Sequence, residues 1–456
     1  MLENQIDYLS SFNQGVINYN NSFQELITPL TAKFISEQLT HPTYLSPSEF
    51  IKLNTLTYDL LAQSFNGSLR DYLQYLNQSV EIARSEGIDE FFKKESKLIN
   101  LIVKTLPKKI QEIEKDFGFH FDNGKYNHDY ETNCFDFYQV LPNKEGIEIK
   151  GKPLLIIPPY VLGYDILAFL PNEGKSFVHE LANNGIPTYI RIIKPILKTP
   201  SVQTMFLENE CEETKEFSQK LLKKHGSPVT LAGYCQGGFT AMLSCLSGKL
   251  EKEVDALITF VSPMDGTKST GINKYLMDLP DSFKSLKYAT RILSNGNKII
   301  DGSAVSALYR LKSMTTESPF STFLKDLQMI RKTGEISNTM AAFNRWLASY
   351  KEIDLPKKII ETADLSYAIS VTSQGDLPVK LFNQKLNFRD ISKYLKACQL
   401  NISTLDNLVE PECARVPAQF SDLVEIVEHK TGHVGIALSP SKFLSPAIEF
   451  HKKLSE

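Results

Sequence analysis

The residues of this 456-residue chain best suited to chemistry lie in VTLAGYCQGGFTAM, from Val229 to Met242, where Cys235 stands between Gly233 and the pair Gly237 and Gly238. A β-branched apolar run gives way there to a helical one, so the order is strand, sharp turn, helix, the setting of a nucleophile elbow. Glycines remove side chains where the backbone crowds itself, which lets the central residue take a strained conformation and project its side chain above the sheet. The dipole of the following helix favours a thiolate at its N-terminus. A free cysteine is more often a small buried hydrophobe. That description suits Cys134, Cys211, Cys245, Cys398 and Cys413, none of which has a glycine frame.

An elbow nucleophile needs a base and an acid, and in this architecture the acid and then the histidine follow it in chain order. STLDNLVEP supplies Asp406 and KTGHVGIALSP supplies His433. Asp265, in SPMDG, also follows an expected strand and is the competing acid; either aspartate could instead cap a turn. The remaining histidines sit in helical or polar stretches without a comparable setting. Acyl transfer through a covalent thioester is the chemistry this trio supports. Its oxyanion would be met by the backbone N–H of Gln236 and by a second from Tyr160 or Val161, because Pro158 and Pro159 have none to donate.

These residues must be carried by a sheet. From about residue 5 to about residue 115 the pattern is helical, as in FQELITPLTAKFISEQL and ESKLINLIVKTLPKKIQEIEKDF, with breaks expected at HPTYLSPSEF and at FNGS, where Ser46, Ser48 and Asn66 offer caps or turns. Residues 1–128 are read as a helical N-terminal domain that packs or oligomerises. After it CFDFYQVLP alternates, and GIEIKGKPLLIIPPYVL ends in a continuous apolar run, where a parallel sheet is expected to start. NGIPTYIRII, PVTLAGY, DALITFVS and CQLNIST read as further core strands, with FVHELAN and ETKEFSQKLLKKH as helices between them. Alternation of this kind implies an α/β doubly wound domain over residues 129–456. The stretch from about 267 to 396, which holds the only tryptophan, Trp346, is too long for a loop and is expected to be an inserted cap.

Composition narrows the partners. With 23% charged residues and a formal net charge of -3, no global field draws the chain to nucleic acid or to an anionic membrane. No run approaches the length of a spanning helix, MLENQIDYLSSFNQ lacks the features of a leader, and a cytoplasmic protein is expected. The scattered cysteines form no CxxC pair, which argues against a zinc site or a disulfide framework, and no metal or cofactor is called for.

GYCQGG resembles the lipase-box-like GxCxGG of the polyhydroxyalkanoate synthases, and IIPPYVLGYDIL looks like their first core strand with its PP turn and following tyrosine. DNLVEP and GHVGIAL are similar to their acid and histidine motifs. The resemblance runs from about Lys152 to about Phe443, and CQGGFTAM looks closest to an uncharacterised side branch of synthase-like proteins. It implies an α/β-hydrolase fold with a cap, and a (R)-3-hydroxyacyl-CoA substrate polymerised through an acyl-cysteine with release of CoA. A homodimer and the surface of a polymer granule are the further partners it allows. Leu162 and Gly163 stand where the synthases typically carry Asn-Lys, and Asn407 stands beside the acid where they carry histidine. The first bears on substrate positioning and the second on the tuning of the acid. A polyester depolymerase or thioesterase would use the same Cys-Asp-His set, and a non-catalytic granule protein would be expected to have lost one of its members.

Overall fold

The computed structural model describes residues 2–40, 47–270, 289–305, 318–349 and 353–455, which fall into two compact units. The first unit takes the described residues up to Lys115 together with the helices Pro319–Thr333 and Asn338–Ser349. Its N-terminal part is the helices Leu2–Thr40, Pro47–Glu86, Ile88–Asn100 and Leu106–Glu112, with one π turn at Leu101–Thr105 ahead of Pro107. Apolar residues three and four apart, Ile99, Ile102 and Leu106 on one side and Phe323, Leu327 and Ile330 on the other, meet Tyr75 and Met340 in its core. Arg331 forks onto the buried Glu95 at 2.8 and 2.9 Å within the same unit.

The break expected at FNGS does not occur: the helix Pro47–Glu86 runs straight through it. A glycine inside a helix costs about 1 kcal/mol, which packing outweighs here. Ser64 is buried and Ser68 hydrogen-bonds Ser318 at 2.6 Å, so small residues face the neighbouring helix. The chain turns instead at Gly87, whose φ of 92° suits glycine. Residues 41–46 of HPTYLSPSEF, with the cap expected at Ser46, lie outside the described residues; Pro47 opens the next helix.

The second unit holds an eight-stranded sheet. Its strands are β1 (Tyr126–Glu131), β2 (Phe135–Val140), β3 (Leu154–Ile157), β4 (Thr188–Ile193), β5 (Val229–Tyr234), β6 (Val254–Phe260), β7 (Ala397–Ser403) and β8 (Val424–His429). They lie side by side in the order β1-β2-β4-β3-β5-β6-β7-β8. From β4 through β8 every pairing is parallel, whereas β2 runs antiparallel to both β1 and β4. CFDFYQVLP is therefore an antiparallel strand and the parallel sheet starts one strand later, at LLII, whose four residues are all buried. β1 and β8 escaped the sequence reading because edge strands with one wet face, YNHDYE and VEIVEH, carry too much charge to register as core.

Between β6 and β7 the chain is shared between the units. The two helices named above belong to the first. A three-stranded sheet (Thr290–Ile292, Lys298–Ile300, Leu355–Pro356), the helix Lys357–Ala368 and a hairpin (Asp376–Leu381, Gln384–Asn387) belong to the second.

Candidate active site

Cys235 follows β5 directly and caps the helix Gln236–Leu246, with φ 51° and ψ -124°. A positive φ is uncommon outside glycine and costs energy that the surroundings must hold in place. They do so through the glycines. A Cβ on Gly233 would lie 2.3 Å from the Cα of Gly238, and one on Gly237 would lie 2.3 Å from the Ile157 carbonyl oxygen and 2.4 Å from that of Pro158. The start of the elbow helix thus rests backbone to backbone on the end of β3, and Gly238 lies against Gly233 and Ser262. The Cys235 N–H donates to the Phe260 carbonyl at 2.7 Å, tying the turn to β6.

Asp406 and His433 lie in the loops after β7 and β8. Those loops are stitched together, since Thr404 N–H donates to the His429 carbonyl at 2.8 Å and Leu405 N–H to the Thr431 carbonyl at 3.0 Å. His433 Nδ1 donates to Asp406 Oδ2 at 2.6 Å. The other carboxylate oxygen accepts the N–H groups of Leu408 and Val409 at 2.8 and 2.9 Å, so the acid cannot rotate away from the ring. Asp265 is engaged elsewhere: Oδ1 accepts from the N–H and hydroxyl of Thr267, and Oδ2 from Val371 N–H. Of the two candidate acids, the fold brings Asp406 to the histidine.

Burial alone would lower the proton affinity of His433, but the charges of Asp406 and Cys235 outweigh it and push the imidazole up to about 10. Its Nε2 is buried and reaches no partner at full hydrogen-bonding geometry, and Cys235 raises the proton affinity of the ring both through its charge and through side-chain hydrogen bonding. Both ends of the Gln236 side-chain amide are likewise buried without partners. Polar groups left open in this way are costly. At the elbow they leave hydrogen-bonding capacity open next to Cys235.

Tyr160 and Val161 follow Pro158 and Pro159 at the end of β3, in a turn where Gly163 N–H donates to the Tyr160 carbonyl at 3.3 Å. Gln236 is the first residue of the elbow helix, where N–H groups have no acceptor within the helix. Both expected oxyanion donors therefore flank the contact that Gly237 makes with Ile157 and Pro158. The sequence reading missed Tyr234, whose hydroxyl donates to the His433 carbonyl at 2.7 Å and holds the histidine loop to the residue before the cysteine. No sequence signal marks such a bond between residues so far apart in the chain.

No protein-family model matches the chain, and no curated protein matches it in sequence. Among solved structures it is similar to a soluble variant of monoglyceride lipase from Saccharomyces cerevisiae (12% identity, 75% of this chain and 98% of that one, TM-score 0.41). A carboxylesterase of the thaumarchaeon Nitrososphaera gargenis (11%, 72% and 97%, 0.42) and a lipase-esterase related protein from Clostridium acetobutylicum (12%, 70% and 98%, 0.38) align to a similar extent. At such low identities and scores the assignment of fold rests on the molecule itself. The strand order, the antiparallel β2, and an elbow after β5 with an aspartate after β7 and a histidine after β8 make the sheet unit an α/β-hydrolase fold.

Proposed function

We propose that the chain is an acyltransferase of the polyhydroxyalkanoate synthase kind. It takes a 3-hydroxyacyl group from a CoA thioester onto Cys235, releases CoA, and passes the acyl group to the hydroxyl of another acyl unit. The observation that carries this reading is a cysteine at a left-handed elbow beside a histidine that is bonded at 2.6 Å to a fixed aspartate. Cysteine suits a thioester donor, because exchange of one thioester for another is nearly isoenergetic and keeps the acyl group activated, while its later transfer to a hydroxyl is downhill.

In the first step the thiol proton rests on His433 Nε2 while Sγ attacks the thioester carbonyl. The N–H groups of Gln236 and of Tyr160 or Val161 receive the oxyanion. Collapse expels the CoA thiolate, which takes the proton from Nε2 and leaves as a thiol. His433 is now neutral and still bonded to Asp406, which raises its proton affinity, so it can accept a proton from the attacking hydroxyl. The ester forms, Sγ departs, and the proton is again shared within the pair. Residues 129–456 carry this chemistry, and whether the acyl group goes to a hydroxyl or to water depends on how far water is kept from the acyl-cysteine.

The test is incubation with 3-hydroxybutyryl-CoA, following free CoA, ester-linked oligomer and free acid separately. CoA release with oligomer is expected. Free 3-hydroxybutyrate in step with CoA, and no oligomer, would assign a hydrolase built from the same residues, and no acyl mass on Cys235 would leave a non-catalytic protein. Asp406→Asn should slow the second step so that an acyl-enzyme dischargeable by hydroxylamine accumulates, whereas Asp265→Asn should turn over normally. The reverse pattern would move the acid to Asp265.

A further inference from the structure

A second polar cluster lies beneath the elbow, on side chains that the reaction above does not use. Glu210, on the helix Leu207–His225, is 1% exposed. Its Oε1 accepts from Arg191 of β4 at 2.6 Å and from the hydroxyl of Thr240 at 2.7 Å. Its Oε2 accepts from the hydroxyl of Tyr160 at 2.8 Å. Arg191, equally buried, also donates to Thr214 at 2.9 Å and lies over the ring of Phe135, 4.2 Å from its centroid. A buried ion pair rarely adds stability over well-packed apolar residues of the same volume. What it supplies is direction.

The two hydroxyls that converge on Glu210 come from the two elements that would form the oxyanion hole. Tyr160 belongs to the loop after β3 and is itself a candidate donor through its backbone N–H. Thr240 lies one turn along the elbow helix from Gln236. One carboxylate therefore grips both sides, while Gly237 lets their backbones touch. We infer that Glu210, held by Arg191, is a positioning residue that sets the spacing between the Gln236 N–H and the N–H groups of Tyr160 and Val161. This rests on the reading of Cys235 as an acyl-accepting nucleophile, and it deepens that reading by naming what preorganises the hole.

Tyr160→Phe and Thr240→Val each remove one arm. Both keep the backbone N–H groups, and neither leaves the Arg191–Glu210 pair without its partner, so both variants should fold; urea unfolding checks this. The measurement is the rate at which Cys235 gains an acyl group from 3-hydroxybutyryl-CoA and, in parallel, from p-nitrophenyl acetate. It is set against the rate at which iodoacetamide alkylates the same thiol, a displacement that forms no oxyanion. Misplacing a donor should cost less than the 10²–10³-fold seen when one is removed outright. Each variant is therefore expected to acylate about 10- to 100-fold more slowly at saturating donor with KM little changed, and to be alkylated within about twofold of the wild-type rate. The double variant should be little slower than the slower single one, because both arms act through one carboxylate. Wild-type acylation rates in both single variants, or acylation and alkylation falling together, would overturn the inference. A wild-type protein that p-nitrophenyl acetate acylates but the CoA thioester does not would instead count against the substrate proposed above and leave the comparison of variants intact.

Discussion

At the scale of single residues, six thiols share the chain and their surroundings separate them. Burial pushes Cys134, Cys398 and Cys413 up to about 12 and Cys211 up to about 11, and it raises Cys245 well beyond the ordinary thiol range. All five are 2% exposed or less, against 9% for Cys235. At neutral pH those five are thiols without access, and the thiolate is the form that reacts. Limiting iodoacetamide at neutral pH should therefore label Cys235 first, as read by peptide mapping, and labelling of Cys245 or Cys413 ahead of it would remove the nucleophile. Asp406→Asn takes away a charge that holds His433 protonated, so the same assay should then label Cys235 more slowly.

At the scale of elements, the sharpest dependence is where the elbow helix meets the end of β3. A methyl group at Gly237 would sit 2.3–2.4 Å from two carbonyl oxygens of the main chain, which cannot swing aside as a side chain could. Gly237→Ala must separate the helix from the Ile157–Pro158 segment, and overpacking of this kind costs about 1–3 kcal/mol. The expected result is a lower urea midpoint together with slower acylation of Cys235, since both candidate oxyanion donors flank the contact. An unchanged midpoint and rate would mean that the two elements are not held against each other. Val261, just past β6, adds strain nearby with a φ of 46°, a rare conformation for a β-branched residue.

At the scale of the molecule, buried titratable groups pull stability in opposite directions with pH. Burial holds His179 and His451 down at about 4, so each is neutral in the fold and charged when unfolded below about 6.5. Their contribution is present above about 6.5 and is lost as pH falls from there to about 4. Asp326 and Asp364, raised by burial to about 6 and about 7, run the other way: their contribution is present below about 4 and is lost as pH rises through 6 to 7. The two pairs offset each other between about pH 4 and pH 6.5, so the wild-type profile is expected to be flatter there than either pair alone would make it. A difference measurement separates them. His451 bonds the Thr230 hydroxyl and the Lys152 carbonyl, at 3.1 and 3.0 Å, and His451→Gln cannot titrate. The stability gap between wild type and His451→Gln should shrink between pH 7 and pH 4; a constant gap in urea titrations would show that His451 does not carry the linkage.

What the chain order alone determined is local. The glycines around Cys235, the prolines that deny N–H groups at 158 and 159, and the alternation of strands and helices act over a few residues, where steric limits on the backbone suffice to specify conformation. The strained elbow at Cys235 and the fold class were legible for that reason, as were four of the five buried parallel strands and the apolar run that holds the fifth. The wet edge strands β1 and β8 were not, because their polar faces break the hydrophobic pattern, and a break was expected at FNGS where packing carries the helix through. Chain order placed Asp406 ahead of Asp265 as the acid, at the last strand-to-loop junction before the histidine, but its contact with His433 belonged to tertiary structure, since only the sheet order puts the β7 and β8 loops side by side. The grip of Glu210 on Tyr160 and Thr240, and the hold of Tyr234 on the histidine loop, were decided there too. Each joins residues 30 to 199 positions apart, and no local preference can specify a distance that exists only once the sheet has formed.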